Sequence, residues 1–415
     1  MVSNVCNEQP NSLQNGNDMQ AKVYMDYNAT TPLAPTVAKE IQQSLFTAWG
    51  NPSSSHSAGV QAKLIISKAR ENLRKMLNSL SSNEIFFMSG GTEANNHVIH
   101  STIKYFKECF NENTDRKPHV ISSVIEHDSI IKPLLQLEKE GCLDLTLVGV
   151  CKHLGHVDPD EIFSNVQDNT VLVTIMMAHN ETGAIQPIKE ISSGIKKINE
   201  QRVGKSNLSV FVHTDAAQAI GKIKVDVQEL GVDYLTVVGH KFYGPKIGAL
   251  WVHSLCLLNP MLYGGGQEKG KRPGTENVCM IAGLGEAARL VSENLNVYEA
   301  HFKKMKGYLK FQLDKAFSSC ISYNEMPCAT LSNTLNISIT SYSLNGREVL
   351  NRCKFLLASV GAACHSENGE SVSASLLAHG ITEEIAKRAI RLSLGRDTSE
   401  NDIDIIVSDL RSVFV

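Results

Sequence analysis

The sequence predicts an α/β fold with a mainly parallel sheet in a large domain, followed by a smaller α+β domain. Short apolar runs rich in β-branched residues alternate with helical patterns along the first two thirds of the chain. Such alternation is typical of a parallel sheet covered by helices on both faces. A Gly/Pro-rich stretch at 263–277 then interrupts the pattern, and the chain after it is more helical. These two observations carry the fold prediction.

The helical patterns begin at about Ala34. Val37, Ile41 and Leu45 repeat at i, i+4 and i+8, and residues 62–76 continue this spacing, which predicts two amphipathic helices. Ser399 followed by Asp402 predicts a capping box at the start of the last helix. The predicted strands lie at 84–90, 119–127, 171–180, 209–218, 233–241 and 247–253, with others near 334–339 and 390–396.

Composition narrows the class of protein. The 415 residues contain 40 Lys+Arg against 43 Asp+Glu, so charge does not favour nucleic acid or an anionic membrane as a partner. No apolar run approaches the roughly 20 residues of a membrane-spanning helix. The N-terminus is polar and lacks the features of a signal or transit peptide, so we expect a cytosolic protein. We predict a disordered tail at 1–20, a segment at 21–34 that packs with the small domain, a large domain at 35–282 and a small domain at 283–415.

Two apparent motifs are rejected. Residues 265–271 approach a P-loop, but Arg272 and Pro273 stand where a Ser or Thr must open a helix. Cys151, His153 and His156 suggest zinc, yet no second cluster completes four ligands, so we predict no metal site. The ten cysteines include no C-x-x-C pair and are expected to be buried or free thiols.

Functional side chains collect where the predicted strands end. Residues 89–93, Ser-Gly-Gly-Thr-Glu, can place backbone N–H groups around an anion at a helix N-terminus, or can simply form a tight turn with a Thr cap. His127 could be a core residue, Asp215 a helix cap and Lys241 a surface cation. Taken together in this order, a phosphate loop, an acid and a lysine are better explained by pyridoxal phosphate, because lysine forms a Schiff base and aspartate can pair with the pyridinium nitrogen.

The chain resembles the cysteine desulfurase group of fold-type-I pyridoxal-phosphate enzymes, and within it the selenocysteine-cleaving branch. The likeness runs from Val23 to the C-terminus. The matching blocks are YMDYNATTP (24–32), GNPSSSHSAG (50–59), SGGTEANN (89–96), EHDS (126–129), NETG (180–183), HTDAAQA (213–219), GHKFYGP (239–245), RPGTEN (272–277), GAACHS (361–366) and RLSLGR (391–396). The order of so many blocks makes the resemblance specific.

The resemblance implies a role for each matching residue. Lys241 would form the Schiff base with the cofactor, with His127 stacked on the ring as a proton shuttle. The small domain would carry Cys364 on a loop, acting as nucleophile towards selenium or as acid, and a selenium-acceptor protein is a further expected partner. The other expected cofactor and substrate contacts are Asp215 at the pyridine nitrogen, Gln218 at the ring hydroxyl, Gly91, Thr92 and His240 at the phosphate, Thr275 from the partner of a homodimer, and Asn180 and Arg391 at the substrate carboxylate.

Two positions depart from the desulfurase pattern. Val238 stands where desulfurases usually carry a phosphate-binding Ser, and Asp128 follows the stacking His where they commonly carry Lys. A carboxylate disfavours a nearby thiolate, so Asp128 is expected to restrict turnover to selenocysteine, which would give alanine. The alternatives are a cysteine desulfurase, an aminotransferase and an inactive scaffold. The scaffold would require a lost lysine, acid or cysteine, and the aminotransferase would not need the loop at 361–366.

Overall fold

A computed structural model describes residues 22–110, 116–202, 208–341, 343–361 and 372–414. Within this part of the chain, helices and strands follow the alternation that the sequence predicts. The elements up to the end of the first sheet are β1 (Val23–Tyr24), α1 (Pro35–Thr47), α2 (Ser57–Leu77), β2 (Ile85–Met88), α3 (Gly91–Cys109), β3 (His119–Ser123), α4 (Asp128–Lys139), β4 (Asp144–Val148), α5 (Pro159–Ser164), β5 (Thr170–Thr174), α6 (Ile188–Arg202), β6 (Phe211–Asp215), α7 (Val227–Leu230), β7 (Tyr234–Val238) and β8 (Gly248–Val252).

The central sheet of the described chain has the strand order β2-β8-β7-β6-β5-β3-β4. All neighbouring pairs from β7 to β4 are parallel, and β8 alone runs antiparallel to both of its neighbours. Strands β2, β3, β5, β7 and β8 are buried along their whole length. This confirms the predicted mainly parallel sheet.

Strand β4 was not predicted from the sequence. It pairs only with β3, at the edge of the sheet, and its residues run from exposed Asp144 to buried Val148. An edge strand that is partly open to solvent does not need a continuous apolar run. The sequence of β4, DLTLV, instead alternates polar Asp144 and Thr146 with Leu145 and Leu147, unlike the near-continuous apolar runs of the buried strands.

The remaining elements form the predicted α+β part. They are α8 (Val278–Phe317), β9 (Ile321–Tyr323), β10 (Thr334–Ile339), α9 (Gly346–Arg352), β11 (Leu356–Leu357), α10 (Ala374–Ala378), α11 (Glu383–Lys387), β12 (Ala389–Ser393) and α12 (Glu400–Ser412). Strands β12, β10 and β9 make an antiparallel sheet in that order. The capping box between Ser399 and Asp402 is confirmed at the start of α12.

The 40-residue helix α8 contributes to two hydrophobic cores. Its residues from Val278 to Val291 pack in the core of the large sheet, whereas those from Phe302 to Phe317 pack against the small antiparallel sheet. The change from one core to the other therefore falls inside the helix, and the division at 282/283 stays a prediction. Val23 and Met25 of the N-terminal segment lie in the second core. No helix in the described ranges is long and apolar enough to cross a membrane.

Candidate active site

A cavity of about 280 Å³ lies at the carboxyl ends of the parallel strands. This is where α/β sheets of this kind bind ligands. Most of the side chains that the sequence singled out meet here, although they come from separate strand ends. The cavity is lined by Asn28, Ala29, Gly91, Thr92, His127, Ser129, Met176, Ala178, Asn180, Asp215, Ala217, Gln218, Val238, His240, Lys241 and Arg391.

One end of the cavity is suited to an anion. Gly91 and Thr92 open the 19-residue helix α3, whose first backbone N–H groups have no partner within the helix. A Cβ on Gly91 would lie 2.6 Å from Cγ2 of Val238, so only glycine fits beside this valine. Burial, together with nearby Lys241, lowers the pKa of His240 to about 4, and Nδ1 of this neutral ring lies 3.1 Å from Oγ1 of Thr30.

The acid side of the cavity consists of Asp215, Asn95, Ser129 and His127. Nδ2 of Asn95 donates to Oδ2 of Asp215 at 2.9 Å and to Oγ of Ser129 at 2.8 Å, while Oγ of Ser129 lies 2.8 Å from Nδ1 of His127. The backbone N–H of Ser129 also donates to Nδ1 of His127. Since Nδ1 accepts this bond, the proton of the neutral imidazole is on Nε2. The histidine and the carboxylate are thus held by one network.

Lys241 follows β7 and is directed toward the N-terminal segment. Its Nζ donates to the backbone carbonyls of Asn28 at 2.9 Å and Ala29 at 2.7 Å. Gln218 lies beside it, with Nε2 donating to the same carbonyl of Asn28 at 3.0 Å. The lysine is therefore inside the cavity, as the sequence predicts, rather than on the surface.

The guanidinium side of the cavity consists of Arg391, Asp26, Asn180 and Asn28. Arg391 is 1% exposed, and its Nη2 pairs with Oδ1 of Asp26 at 2.5 Å. Its Nη1 donates to the backbone carbonyl of Asn180 at 3.1 Å, and this carbonyl also accepts from Nδ2 of Asn28. Nε of Arg391 is buried and has no hydrogen-bond partner in the described residues. It is an available donor for an anion.

Two of the predicted site residues that the structure describes lie elsewhere. Asp128 lines an adjoining cavity of about 190 Å³, which shares His127 and Asn180 with the main one, and pairs with Lys132 at 2.7 Å. Thr275 lines a third cavity of about 360 Å³, together with Ser89 and Arg272. Cys364 lies outside the described residues.

Several residues of the site were missed in the sequence. Asn95 and Ser129 belong to the blocks SGGTEANN and EHDS, but nothing in those blocks assigned them a role. Asn95 is four residues after Gly91 on α3, so helical spacing places the two on one face, which is the signal that could have identified it. Asp26 and Asn28 left no such signal, because each acts through partners distant in the chain. Lys222 was not singled out either, since one of its two partners is the distant Asn28.

The residues of the cavity fit pyridoxal phosphate. An anion-binding helix terminus, a buried carboxylate and a lysine amine correspond to the three parts of that molecule that a protein must hold: the phosphate, the ring nitrogen and the aldehyde carbon. The unpartnered Nε of Arg391 adds a donor for a substrate carboxylate. The fold and cavity define a fold-type-I pyridoxal-phosphate enzyme.

Comparison with known proteins makes the class more specific. The chain belongs to the class-V aminotransferase family, whose model matches residues 23–406. A protein from Bos taurus named selenocysteine lyase is 50% identical over 94% of this chain and 92% of its own length. A cysteine desulfurase IscS from Methanosarcina thermophila is 36% identical over 93% of this chain and 90% of its own. A solved structure titled NifS-like protein matches 95% of this chain and 99% of its own with 32% identity and a TM-score of 0.81.

Proposed function

We propose that this protein is a pyridoxal-phosphate-dependent lyase that converts L-selenocysteine to L-alanine and passes selenium to a reductant or an acceptor protein. The observation that carries the proposal is that Lys241, Asp215 and Arg391 line one cavity. Lysine, acid and guanidinium are the groups needed to hold the cofactor, protonate its ring and bind an amino-acid carboxylate. The selenocysteine lyase from Bos taurus is also much more similar to this chain than the archaeal desulfurase is.

Seven residues would hold the cofactor within one chain. Lys241 would bind its aldehyde carbon, Asp215 its ring nitrogen and Gln218 its ring hydroxyl, with His127 against the ring. Gly91, Thr92 and His240 would bind its phosphate. When bound, pyridoxal phosphate supplies an electron sink for the electrons that remain when the substrate loses its Cα proton.

Lys241 is the proposed base for that proton. Once released from the cofactor, its amine has two carbonyl acceptors within reach, Asn28 and Ala29, which would hold it close to the reacting carbon. His127 would shuttle a second proton through Nε2, because Nδ1 is already bonded to Ser129. Asn95 would keep both Asp215 and Ser129 in place during these transfers.

Arg391 is the proposed site of the substrate carboxylate, together with Asn180. Its pairing with Asp26 leaves Nε as the donor without a partner in the described chain, so a carboxylate would bind at Nε and the adjacent edge of the guanidinium. Burial excludes water from this interaction and strengthens it. The planar guanidinium would then fix the orientation of the amino acid relative to Lys241.

Asp128 is the proposed determinant of selenium over sulfur. Its carboxylate lies beyond His127, in the adjoining cavity, and there it would disfavour a substrate thiolate while a selenol, which is more acidic, still ionises. Cys364 remains the predicted nucleophile or acid at the selenium.

A homodimer is proposed as the working form. Thr275 lines a cavity separate from that of Lys241 in the same chain. Its expected contact with the phosphate therefore requires a second copy, in which Thr275 of one chain reaches the cavity of the other. Gel filtration of the wild type should show a dimer, and Thr275→Ala should weaken cofactor binding.

The first experiment measures alanine formation by cofactor-loaded protein with selenocysteine and with cysteine in parallel. Strong turnover of selenocysteine with little turnover of cysteine is the expected result. Comparable rates would move the function to a cysteine desulfurase, and failure to bind pyridoxal phosphate would overturn the proposal.

The second experiment replaces the lysine itself. Lys241→Ala should abolish the visible absorbance of bound cofactor and lower kcat by at least about 10³-fold, because general acid–base catalysis by one group is worth about 10²- to 10⁴-fold. The exposed Lys224→Ala, whose lysine pairs with Glu229 on the surface, is the matched control and should retain both. Normal turnover by Lys241→Ala would contradict the assignment.

A further inference from the structure

Lys222 is a buried lysine next to the cavity that has no place in the proposed reaction. It is 4% exposed, and its Nζ donates to Oδ1 of Asn28 at 2.9 Å and to Oε1 of Gln218 at 2.6 Å. Both acceptors are amide oxygens, and in the described part of the chain Lys222 forms no ion pair with a carboxylate.

Such a position is costly for a cation. Burial lowers the pKa of Lys222 well below its ordinary value, and the neighbouring cations Lys241 and Arg391 lower it further. A buried charge or amine without a carboxylate partner destabilises a fold relative to an apolar side chain of the same size. Packing therefore does not account for a lysine at this position, but its hydrogen bonds do.

The two bonds determine which way two amides face. Nζ donates in both bonds, which an amine can do whether or not it is charged, and the amide nitrogens of Gln218 and Asn28 are already committed to backbone carbonyls, so each amide presents its oxygen to Lys222. For Gln218, this orientation turns Nε2 toward the backbone carbonyl of Asn28 and leaves its second N–H unused by that bond. For Asn28, it turns Nδ2 toward Oγ1 of Thr334 and the carbonyl of Asn180.

Gln218 and Asn28, the two residues whose amides Lys222 orients, both lie at the proposed cofactor site. Gln218 lines it, and the Asn28 backbone carbonyl accepts from both Lys241 and Gln218. Oδ1 of Asn28 is shared between Lys222, which lies between β6 and α7, and Nδ2 of Asn333, which precedes β10, so three separate parts of the chain are joined at this one atom. A change at Lys222 would reach the cofactor site through these two amides.

We propose that Lys222 is a positioning residue for the cofactor, which fixes the Gln218 amide with its nitrogen available to the ring hydroxyl and anchors the Asn28 carbonyl that holds Lys241. The inference rests on the proposed function, because the role of Gln218 depends on pyridoxal phosphate. It adds a residue that does not itself contact the cofactor.

The test compares Lys222→Met with Lys224→Met, which removes an exposed lysine two residues away. Pyridoxal phosphate is titrated into cofactor-depleted protein, and the visible absorbance of the bound cofactor is followed against pH. Leaving the Gln218 oxygen without its donor should weaken cofactor binding about tenfold, the equivalent of one hydrogen bond to a buried group. The pH midpoint of the absorbance should also shift, which a purely structural role would not cause.

A double-mutant cycle identifies the route of the effect. If Lys222 acts through Gln218, then Lys222→Met in a Gln218→Ala background should weaken binding by much less than it does in the wild type. Full additivity of the two changes, or wild-type affinity and pH midpoint in Lys222→Met, would overturn the inference.

A second variant, Lys222→Gln, controls for misfolding of Lys222→Met. Lys222→Gln retains an amide N–H donor and should keep most of the affinity, so it provides the result if the methionine variant does not fold. A loss of affinity in Lys222→Gln as large as that of Gln218→Ala would contradict the positioning role. Failure of the wild type to bind pyridoxal phosphate would instead count against the proposed function, so the two failures are distinguishable.

Discussion

The acid side and the guanidinium side of the cavity differ in how much of the chain they bring together. The acid side is built within the large sheet and its helices, and Asn95 is 34 residues from Ser129 and 120 from Asp215. The guanidinium side joins Arg391 to Asn180 over 211 residues and to Asp26 over 365. The acid side therefore forms with the large sheet, whereas the guanidinium side exists only when both domains and the N-terminal segment are packed. Binding of a substrate carboxylate should therefore depend on this packing more directly than the contact of Asp215 with the ring nitrogen does.

The largest expected effect concerns Glu126, the buried carboxyl next to His127 on the acid side of the cavity. Glu126 is buried, its Oε1 accepts from Oγ of Ser123 and the N–H of Met176, and burial raises its pKa to about 8. The folded protein therefore keeps a proton that the unfolded chain releases near its ordinary pKa of 4.5. Stability should decline as the pH rises through the interval between these two values, and level off above it.

The corresponding variant is Glu126→Gln, which cannot ionise. Relative to the wild type, its free energy of unfolding should gain about 3 to 5 kcal/mol between pH 4.5 and pH 8, following the conversion of about 1.4 kcal/mol per pKa unit. Urea unfolding at several pH values measures this, with the exposed Glu138→Gln as the control. A difference that does not change with pH would show that Glu126 is ionised in the folded protein.

The next largest effect is expected from removing the guanidinium of Arg391. Arg391→Met leaves Asp26 without its cation and should destabilise the protein by about 3 kcal/mol, the usual cost of removing one partner of a buried pair. It should also raise the KM for the amino acid more than it lowers the affinity for the cofactor. Urea unfolding and steady-state kinetics measure the two effects, with Arg411→Met on the exposed face of α12 as the control. Equal losses of cofactor and substrate affinity would contradict the separation of the two sides.

A smaller effect is expected from removing the Asn95 amide from the hydrogen-bond network of the acid side. Asn95→Leu leaves Ser129, Thr236 and Asp215 each short of one hydrogen bond and should cost about 2 kcal/mol. Because this network holds Asp215 and His127, kcat should fall while the KM for selenocysteine changes little. Lys107→Ala, on the exposed face of the same helix, controls for general effects on α3. A raised KM with a normal kcat would show that Asn95 supports substrate binding, and this would contradict its assignment to the acid side of the cavity.

The smallest effect concerns the adjoining cavity. Asp128→Asn should raise turnover of cysteine a few-fold, on the order of 1 kcal/mol or less, because the carboxylate acts from beyond His127. Turnover of selenocysteine should change less. Lys132→Met, which removes the ion-pair partner and keeps the carboxylate, should not raise cysteine turnover. If the ratio of cysteine turnover to selenocysteine turnover is the same in Asp128→Asn as in the wild type, Asp128 does not determine the choice between the two substrates.

Much of the large domain was predictable because its strands are buried. Continuous apolar runs identified β2, β3, β5, β6, β7 and β8, and the residues at their ends identified His127, Asp215 and Lys241. Edge strand β4 alternates polar and apolar residues over DLTLV instead of forming such a run, and it was missed for that reason. The hydrogen-bonding role of Asn95 was missed as well, because its helical spacing from Gly91 gives only the face on which it lies and not the groups that it contacts.

The alternation of strands and helices and the chemical groups at the strand ends could be read from the amino-acid sequence, because both follow from local spacing. The pairing of Arg391 with Asp26 and the bonds from Lys222 to Asn28 and Gln218 became visible only in the folded chain. A buried cation must find its acceptors wherever the packed chain places them. Gln218 is four residues from Lys222, but Asp26 and Asn28 lie in the N-terminal segment, 365 residues from Arg391 and 194 residues from Lys222. No local pattern encodes such a pairing, because hydrogen bonds of buried groups are satisfied by the whole fold.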